Sequence, residues 1–115
     1  MSHEILNLEP KKVWKYFYEI TQIPRPSKKE EKIIAYLMGF GKSLGLETLK
    51  DEIGNVLIRK PASKGRESVT PIIFQSHVDM VCEKNKDVDF NFDTDAIQPY
   101  IDGEWVKAKG TTLGA

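Results

Sequence analysis

The chain has 115 residues, of which 40% are hydrophobic and 30% are charged, a composition typical of one small soluble domain. Its 17 basic and 17 acidic residues give a net charge of zero, which excludes the strongly basic surface of a nucleic-acid-binding protein. It has no apolar run of membrane-spanning length, no secretory signal pattern and only one cysteine, so we expect a cytoplasmic protein with no membrane partner and no internal disulfide.

Two amphipathic helices are predicted first. Residues 10–23 place apolar side chains at three-and-four spacing, and Pro10 suits the first turn of a helix. The IPRPS stretch ends this helix, because a residue that precedes proline avoids the α region. Ser27 and Glu30 form an S-x-x-E capping box that predicts the start of the second helix, and Gly45 predicts its end.

The next part of the chain has the period-two pattern of strands. Residues 46–50 and 56–59 predict two strands that are joined by a tight turn. Residues 70–76 are the most apolar run, and the lack of alternation predicts a central strand that is buried on both faces. Residues 97–101 and 104–107 predict a last hairpin around an Asp-Gly turn.

Two polar regions complete the predicted architecture. Residues 85–95 are acidic and predict a long surface loop, and residues 109–115 (KGTTLGA) form a Gly/Thr-rich turn region. Such a turn region usually introduces a helix or a functional site, and the sequence stops within it. We therefore predict an α/β fold, with two helices followed by a mixed sheet that is incomplete in this chain.

Chemically active side chains follow the strand predicted for residues 70–76. His77 and Asp79 are two residues apart, so they point to the same face if the extended geometry continues. A neutral imidazole is a common zinc ligand, and it binds best when its other ring nitrogen donates to a carboxylate. The pair is therefore a candidate metal ligand with its orienting acid. The simpler interpretation is a hydrogen-bonded histidine at the rim of a sheet.

The other potential metal donors have plain structural interpretations. One histidine and one aspartate cannot complete a zinc site, which needs three or four protein ligands. His3 lies close to the N-terminus, and the aspartates of residues 85–95 are explained as a solvated charge run. Cys82 is a soft ligand, a reactive thiol or, more simply, a small buried apolar residue.

Four segments together resemble one family. In chain order they are IPRPSKKEEKI (23–33), DEIGNVLI (51–58), HVDMVCEK (77–84) and AKGTTLGA (108–115). Their order and spacing are similar to those of the aminoacyl-histidine dipeptidases, a branch of the co-catalytic zinc peptidases. The resemblance extends from Leu8 to Ala115.

This resemblance implies a function and roles for two residues. The chain, residues 1–115, would be the N-terminal portion of a metallopeptidase catalytic domain. His77 would be a ligand of one of two divalent metal ions, most often zinc with cobalt or manganese as alternatives, and Asp79 would be the catalytic-site acid that orients it. The substrate would be a dipeptide with a C-terminal histidine, cleaved by a metal-activated water.

The resemblance also implies that much of the machinery lies beyond Ala115. An aspartate that bridges both metals would follow directly, and the catalytic glutamate, the remaining ligands and a lid domain that forms a homodimer would lie further on. No substrate-binding residue is assigned within the chain. The segment alone would therefore be inactive.

Two alternatives stay open at this point. The chain could be a free-standing α/β binding module without catalysis, or part of a peptidase from another branch with different substrates. The end of the chain within a turn region, and an uncovered side of the strand predicted for residues 70–76, both argue against the free-standing module.

Overall fold

The computed structural model describes residues 3–114. The described elements are a short 3-10 helix (Glu4–Asn7), helices α1 (Lys11–Thr21) and α2 (Glu31–Ser43), and strands β1 (Glu47–Lys50), β2 (Val56–Arg59), β3 (Pro99–Asp102) and β4 (Trp105–Ala108). The predicted α/β class is confirmed. Two compact units are present: one runs from the start to Ile33 and continues from Asp79 onward, and the other is Ile34–Val78. No helix of the described residues is long and apolar enough to cross a membrane.

Helix α1 and the chain that leads into β3 build the first unit. The helix begins at Lys11, and Pro10 has extended backbone angles at the N-cap position, one residue before the first turn in which the sequence predicts it. Its end is tied down because the Ile97 N–H donates to the Thr21 carbonyl at 3.1 Å. The most deeply buried apolar side chains are Ile5, Ile33, Met80 and Ile97, and all of them belong to this unit.

Strands β3 and β4 form the hairpin that the sequence predicts, with bounds that differ by two residues or fewer. Gly103 occupies the first turn position with a φ of 61°, a conformation that costs glycine little and other residues more. The Lys107 ammonium donates to Asp102 at 2.6 Å, and this hydrogen bond raises the pKa of Lys107.

In the second unit, helix α2 ends in a Schellman motif. Gly45 has a φ of 70°, its N–H donates to the Lys42 carbonyl at 3.0 Å, and the Leu46 N–H donates to the Gly41 carbonyl at 3.1 Å. These bonds use carbonyl groups that the end of a helix leaves without a partner. The predicted role of Gly45 is confirmed.

Strands β1 and β2 pair in the antiparallel hairpin that the sequence predicts. The Asp51 carboxylate organises the connection, because its Oδ1 accepts three successive backbone N–H groups, those of residues 53–55, at 2.8 to 3.0 Å. The Asn55 side-chain amide donates to Oδ2 at 2.8 Å. The bond from the Asn55 side chain, followed by the backbone N–H groups, lowers the pKa of Asp51.

The central strand predicted for residues 70–76 is wrong for this structure. The run forms no strand, and Ile72, Ile73 and Phe74 are 78%, 84% and 93% exposed. A strand buried on both faces needs neighbouring strands that supply hydrogen bonds and layers that cover its faces. No described residue pairs with this run, so the apolar pattern alone does not make a strand.

The predicted mixed sheet and capping box also differ from the structure. The strands form two separate antiparallel pairs, and the one parallel pairing among residues 3–114 is an isolated bridge between Pro26 and Met80. Helix α2 begins only at Glu31, after Lys28 has turned the chain with a φ of 70°. The Glu30 carboxylate accepts the Lys28 N–H at 2.8 Å, so it does not reach back to Ser27 as a capping box requires.

Candidate metal site

Three of the segments that carry the family resemblance converge in the first unit. Residues 79–85 lie between the IPRPS turn on one side and residues 110–112 on the other. The Met80 N–H donates to the Arg25 carbonyl at 2.9 Å, and the Thr112 N–H donates to the Glu83 carbonyl at 2.9 Å. The Thr112 hydroxyl donates to the Val81 carbonyl at 2.8 Å. The segment that follows His77 is therefore held from both sides by backbone hydrogen bonds.

Asp79 begins this held segment, and its side chain is bound from the IPRPS turn. The Ser27 hydroxyl donates to Asp79 Oδ2 at 2.5 Å. The sequence indicates Ser27 as a helix cap and so misses this contact, because a capping signal is local and the two residues are 52 positions apart. The signal that could have found it is the occurrence of both residues in segments that carry the same family resemblance.

Arg25 is a buried charged residue of the same turn and is a second feature that sequence reasoning missed. It is 8% exposed, and its Nη1 lies 3.8 Å from the Met80 sulfur. Burial lowers the pKa of Arg25, and the nearby Cys82 and Asp79 oppose that change. A guanidinium stays protonated across the whole physiological range, so a fixed positive charge lies close to the start of the held segment.

Cys82 is half-buried, and its thiol donates to the Met80 carbonyl at 3.5 Å. Burial is the main cause that raises the pKa of this thiol, with Asp93 adding to it and Arg25 opposing it. A raised pKa leaves the thiol protonated at neutral pH, and a reactive cysteine requires the opposite shift. The surroundings of Cys82 therefore favour the interpretation as a small packed residue over that as a nucleophile.

His77 is exposed and belongs to the second unit, whereas Asp79 is half-buried and belongs to the first. Neither residue belongs to a strand, so the predicted strand end is not present at this position. The role of His77 as a metal ligand and the role of Asp79 as its orienting acid stay predictions.

The donors within residues 3–114 do not complete a metal site. No group of three or more His, Cys, Asp or Glu side chains among them lies close enough together to hold an ion. In the acidic loop, the Asp93 carboxylate forms an ion pair with the Lys29 ammonium at 3.1 Å, and Asp95 Oδ2 accepts a hydrogen bond from the Asn91 N–H at 2.8 Å. These bonds fit the predicted solvated charge run. His3 packs edge-on against Tyr18, with the ring centroids 5.6 Å apart.

An open cleft of about 590 Å³ also lies in the first unit, between the C-terminal part of α1 and the start of β3. Tyr18, Gln22 and Tyr100 contribute to its lining, together with Lys109. Asp79 and Ser27 do not line it. The cleft is therefore a separate feature from the candidate metal site.

The chain is similar to dipeptidases over nearly its whole length. It is 50% identical over 112 residues, or 97% of the chain, to the cytosol non-specific dipeptidase of Escherichia coli strain K12. It matches the crystal structure of the aminoacylhistidine dipeptidase from Vibrio alginolyticus with a TM-score of 0.93 and 48% identity, over 96% of the chain. The predicted resemblance is confirmed. No family model matches the chain.

The two relatives are much longer than this chain. It spans 23% of the length of the E. coli protein and 22% of the Vibrio chain. The alignment therefore accounts for about a quarter of each relative.

Proposed function

We propose that the chain is the N-terminal portion of a metallopeptidase catalytic domain, and that the longer protein containing it hydrolyses dipeptides. The observation that carries the proposal is the 50% identity over 97% of the chain to a dipeptidase. The meeting of three resemblance segments around residues 79–85 supports it, because a shared local arrangement is what a common active-site edge requires.

We further propose that the protein uses two divalent metal ions, most often zinc, and that His77 is one ligand. The donor chemistry of the chain fits part of such a site: an exposed imidazole at position 77 and a half-buried carboxylate at Asp79. The remaining ligands would come from residues outside this chain, since the described donors form no group of three. Such ions, when bound, supply a nucleophilic water at neutral pH. In this chain, His77 would hold one of these ions, and Asp79 would orient the imidazole ring of His77.

The proposed substrate is a dipeptide with a C-terminal histidine, such as β-alanyl-histidine. The Vibrio relative is named as an aminoacylhistidine dipeptidase, and the name of the E. coli relative describes a non-specific dipeptidase. We therefore infer that Xaa-His dipeptides are substrates. The rate on dipeptides without histidine would show whether the enzyme is selective for Xaa-His dipeptides or accepts dipeptides broadly. The protein would act in the cytoplasm, as the name of the E. coli relative says of that protein, and as a homodimer formed outside these residues.

The exposed run at residues 72–74 argues against the alternative of a free-standing binding module. Three consecutive large apolar side chains that are 78% to 93% exposed would be an aggregation liability on an independent domain. In a longer protein, further strands and helices would cover them.

The test uses the full-length protein with divalent metal bound, and it compares the wild type with His77→Ala and His3→Ala. We expect His77→Ala to lower kcat/KM for β-alanyl-histidine more than about 100-fold, beyond the 10–100-fold typical of groups that only support a ligand. His3→Ala, the matched control at the other histidine, should stay close to wild type. Wild-type rates in His77→Ala would refute the ligand role.

The same assay tests the substrate class and the dependence on the longer chain. Equal rates on β-alanyl-histidine and on a dipeptide lacking histidine would refute the selectivity and leave the dipeptidase activity standing. The 115-residue chain alone is expected to show no turnover and to bind zinc more weakly than micromolar. Turnover by the chain alone that is lost in His77→Ala would contradict this.

A further inference from the structure

We propose that Ser27 is a positioning residue for the dipeptidase reaction and acts by fixing the carboxylate of Asp79. The inference rests on the proposed function, in which Asp79 orients His77. The hydroxyl-to-carboxylate distance of 2.5 Å is at the short end for an O–H···O bond and is typical of a bond to a charged acceptor. Groups that orient a metal ligand are themselves usually held by such bonds.

The backbone next to Asp79 is held by a separate set of contacts. The Met80 N–H is bound to the Arg25 carbonyl at 2.9 Å, and the Val81 carbonyl is bound by the Thr112 hydroxyl at 2.8 Å. These bonds place the Cα atom of Asp79, whereas the direction of the carboxylate depends on bonds to the side chain itself. Ser27 supplies one of those bonds.

Ser27 has no role in starting helix α2 that would explain its hydroxyl. The helix begins at Glu31, and the Glu30 carboxylate is used by the Lys28 N–H rather than by the Ser27 backbone. The left-handed turn at Lys28 separates Ser27 from the helix. The geometry therefore directs the Ser27 hydroxyl to a residue 52 positions away rather than to the helix that follows it.

Ser27 is exposed in this chain, and that exposure makes the proposal testable. Removal of a hydroxyl from an exposed side chain opens no cavity, so Ser27→Ala is expected to leave the thermal stability nearly unchanged. A loss of activity or of metal affinity without a loss of stability would then report on Asp79. Ser27→Thr keeps the hydroxyl and should keep the function.

The experiment uses the full-length protein and the variants Ser27→Ala, Ser27→Thr and Ser43→Ala. Ser43 is the matched control, because it is another exposed serine whose hydroxyl donates locally, to the Phe40 carbonyl at 2.8 Å. Three quantities are measured: kcat and KM on β-alanyl-histidine, zinc affinity by competition with a chelator, and the visible absorption of the cobalt-substituted protein.

We expect Ser27→Ala to lower kcat, zinc affinity or both by about 10- to 100-fold, the range found for groups that support a metal ligand, and to change the cobalt absorption. KM should stay within about twofold of wild type, since Ser27 is not proposed to touch the substrate. Ser27→Thr and Ser43→Ala should resemble wild type in all three measurements.

Three results would overturn the inference. Ser27→Ala could match wild type in kcat and zinc affinity, Ser27→Thr could be as impaired as Ser27→Ala, or the loss could follow a matching drop in melting temperature. If His77→Ala is inactive and Ser27→Ala is normal, this inference alone fails. If turnover does not depend on His77, the proposed function fails, and the proposed role of Ser27, which rests on it, fails as well.

Discussion

The exposed apolar run offers the sharpest test of how this chain relates to a longer protein. Ile73 and Ile33 are the same residue type in opposite surroundings, 84% and 2% exposed. Ile73→Ala and Ile33→Ala are therefore a matched pair. They remove the same atoms, and only the surroundings of those atoms differ.

The magnitudes follow from the buried fractions. Full burial of an isoleucine side chain stabilises a protein by about 1.5–3 kcal/mol. Only a sixth of Ile73 is buried, so Ile73→Ala should lower the free energy of unfolding of this chain by no more than about 0.5 kcal/mol. Ile33→Ala deletes fully buried atoms and leaves a cavity, so it should cost about 2–5 kcal/mol. In the full-length protein we expect the free-energy cost of Ile73→Ala to rise to the same range, because other segments would cover the run there.

Urea unfolding followed by tryptophan fluorescence measures these changes in both the 115-residue chain and the full-length protein. A cost above about 2 kcal/mol for Ile73→Ala in the 115-residue chain would show that the run is packed there, which would contradict its observed exposure. A cost below about 0.5 kcal/mol in the full-length protein would show that nothing covers the run, and the reasoning from its apolar pattern would be refuted.

Two further predictions concern the hairpins. The pKa of Asp51 lies below its ordinary value of 3.8 in the folded chain, so the stability that its carboxylate contributes is present above pH 3.8 and is lost as the pH falls below it. The backbone amide signals of residues 53–55 should therefore shift over that acid range in NMR spectra. Asp51→Ala should show the same shifts at neutral pH, whereas Glu52→Ala, at the exposed neighbour, should not. Unchanged amide signals would contradict this prediction. Gly103→Ala should destabilise by about 1 kcal/mol, because its φ of 61° is costly for alanine. Gly39→Ala, in helix α2 with open space around it, should stabilise by about 0.5–1 kcal/mol, and equal melting temperatures of the two variants would refute the argument.

Local signals predicted those elements whose hydrogen bonds close within the element or with its neighbour in sequence. The end of α2 at Gly45 and both hairpins agree with prediction, because a left-handed glycine or a short turn acts over a few residues. The Gly54 turn is a further case, since Asp51 supplies its acceptor from within the same connection. Such elements can be read from sequence because their partners lie close by in the chain.

Local signals failed where a distant partner competes. Ser27 has the sequence context of a helix cap, in which its hydroxyl oxygen would accept a hydrogen bond from a backbone N–H. In the structure the hydroxyl instead donates to the Asp79 carboxylate, and a hydrogen bond to a charged group is stronger than one between neutral groups. The sequence does not predict the burial of Arg25, because an arginine in a turn is ordinarily exposed and its burial depends on contacts with remote residues such as Met80.

The sequence by itself determined the helices, the two hairpins and the family resemblance, because periodicity, turn residues and motif order are properties of the chain alone. The tertiary structure decided that Ser27 meets Asp79, that residues 79–85 are held between two other segments, and that the apolar run at residues 70–76 stays exposed. The physical reason is the same in each case. Burial and hydrogen-bond partners depend on segments that are remote in sequence, and a run of apolar residues becomes a buried strand only where other strands and helices are present to cover it.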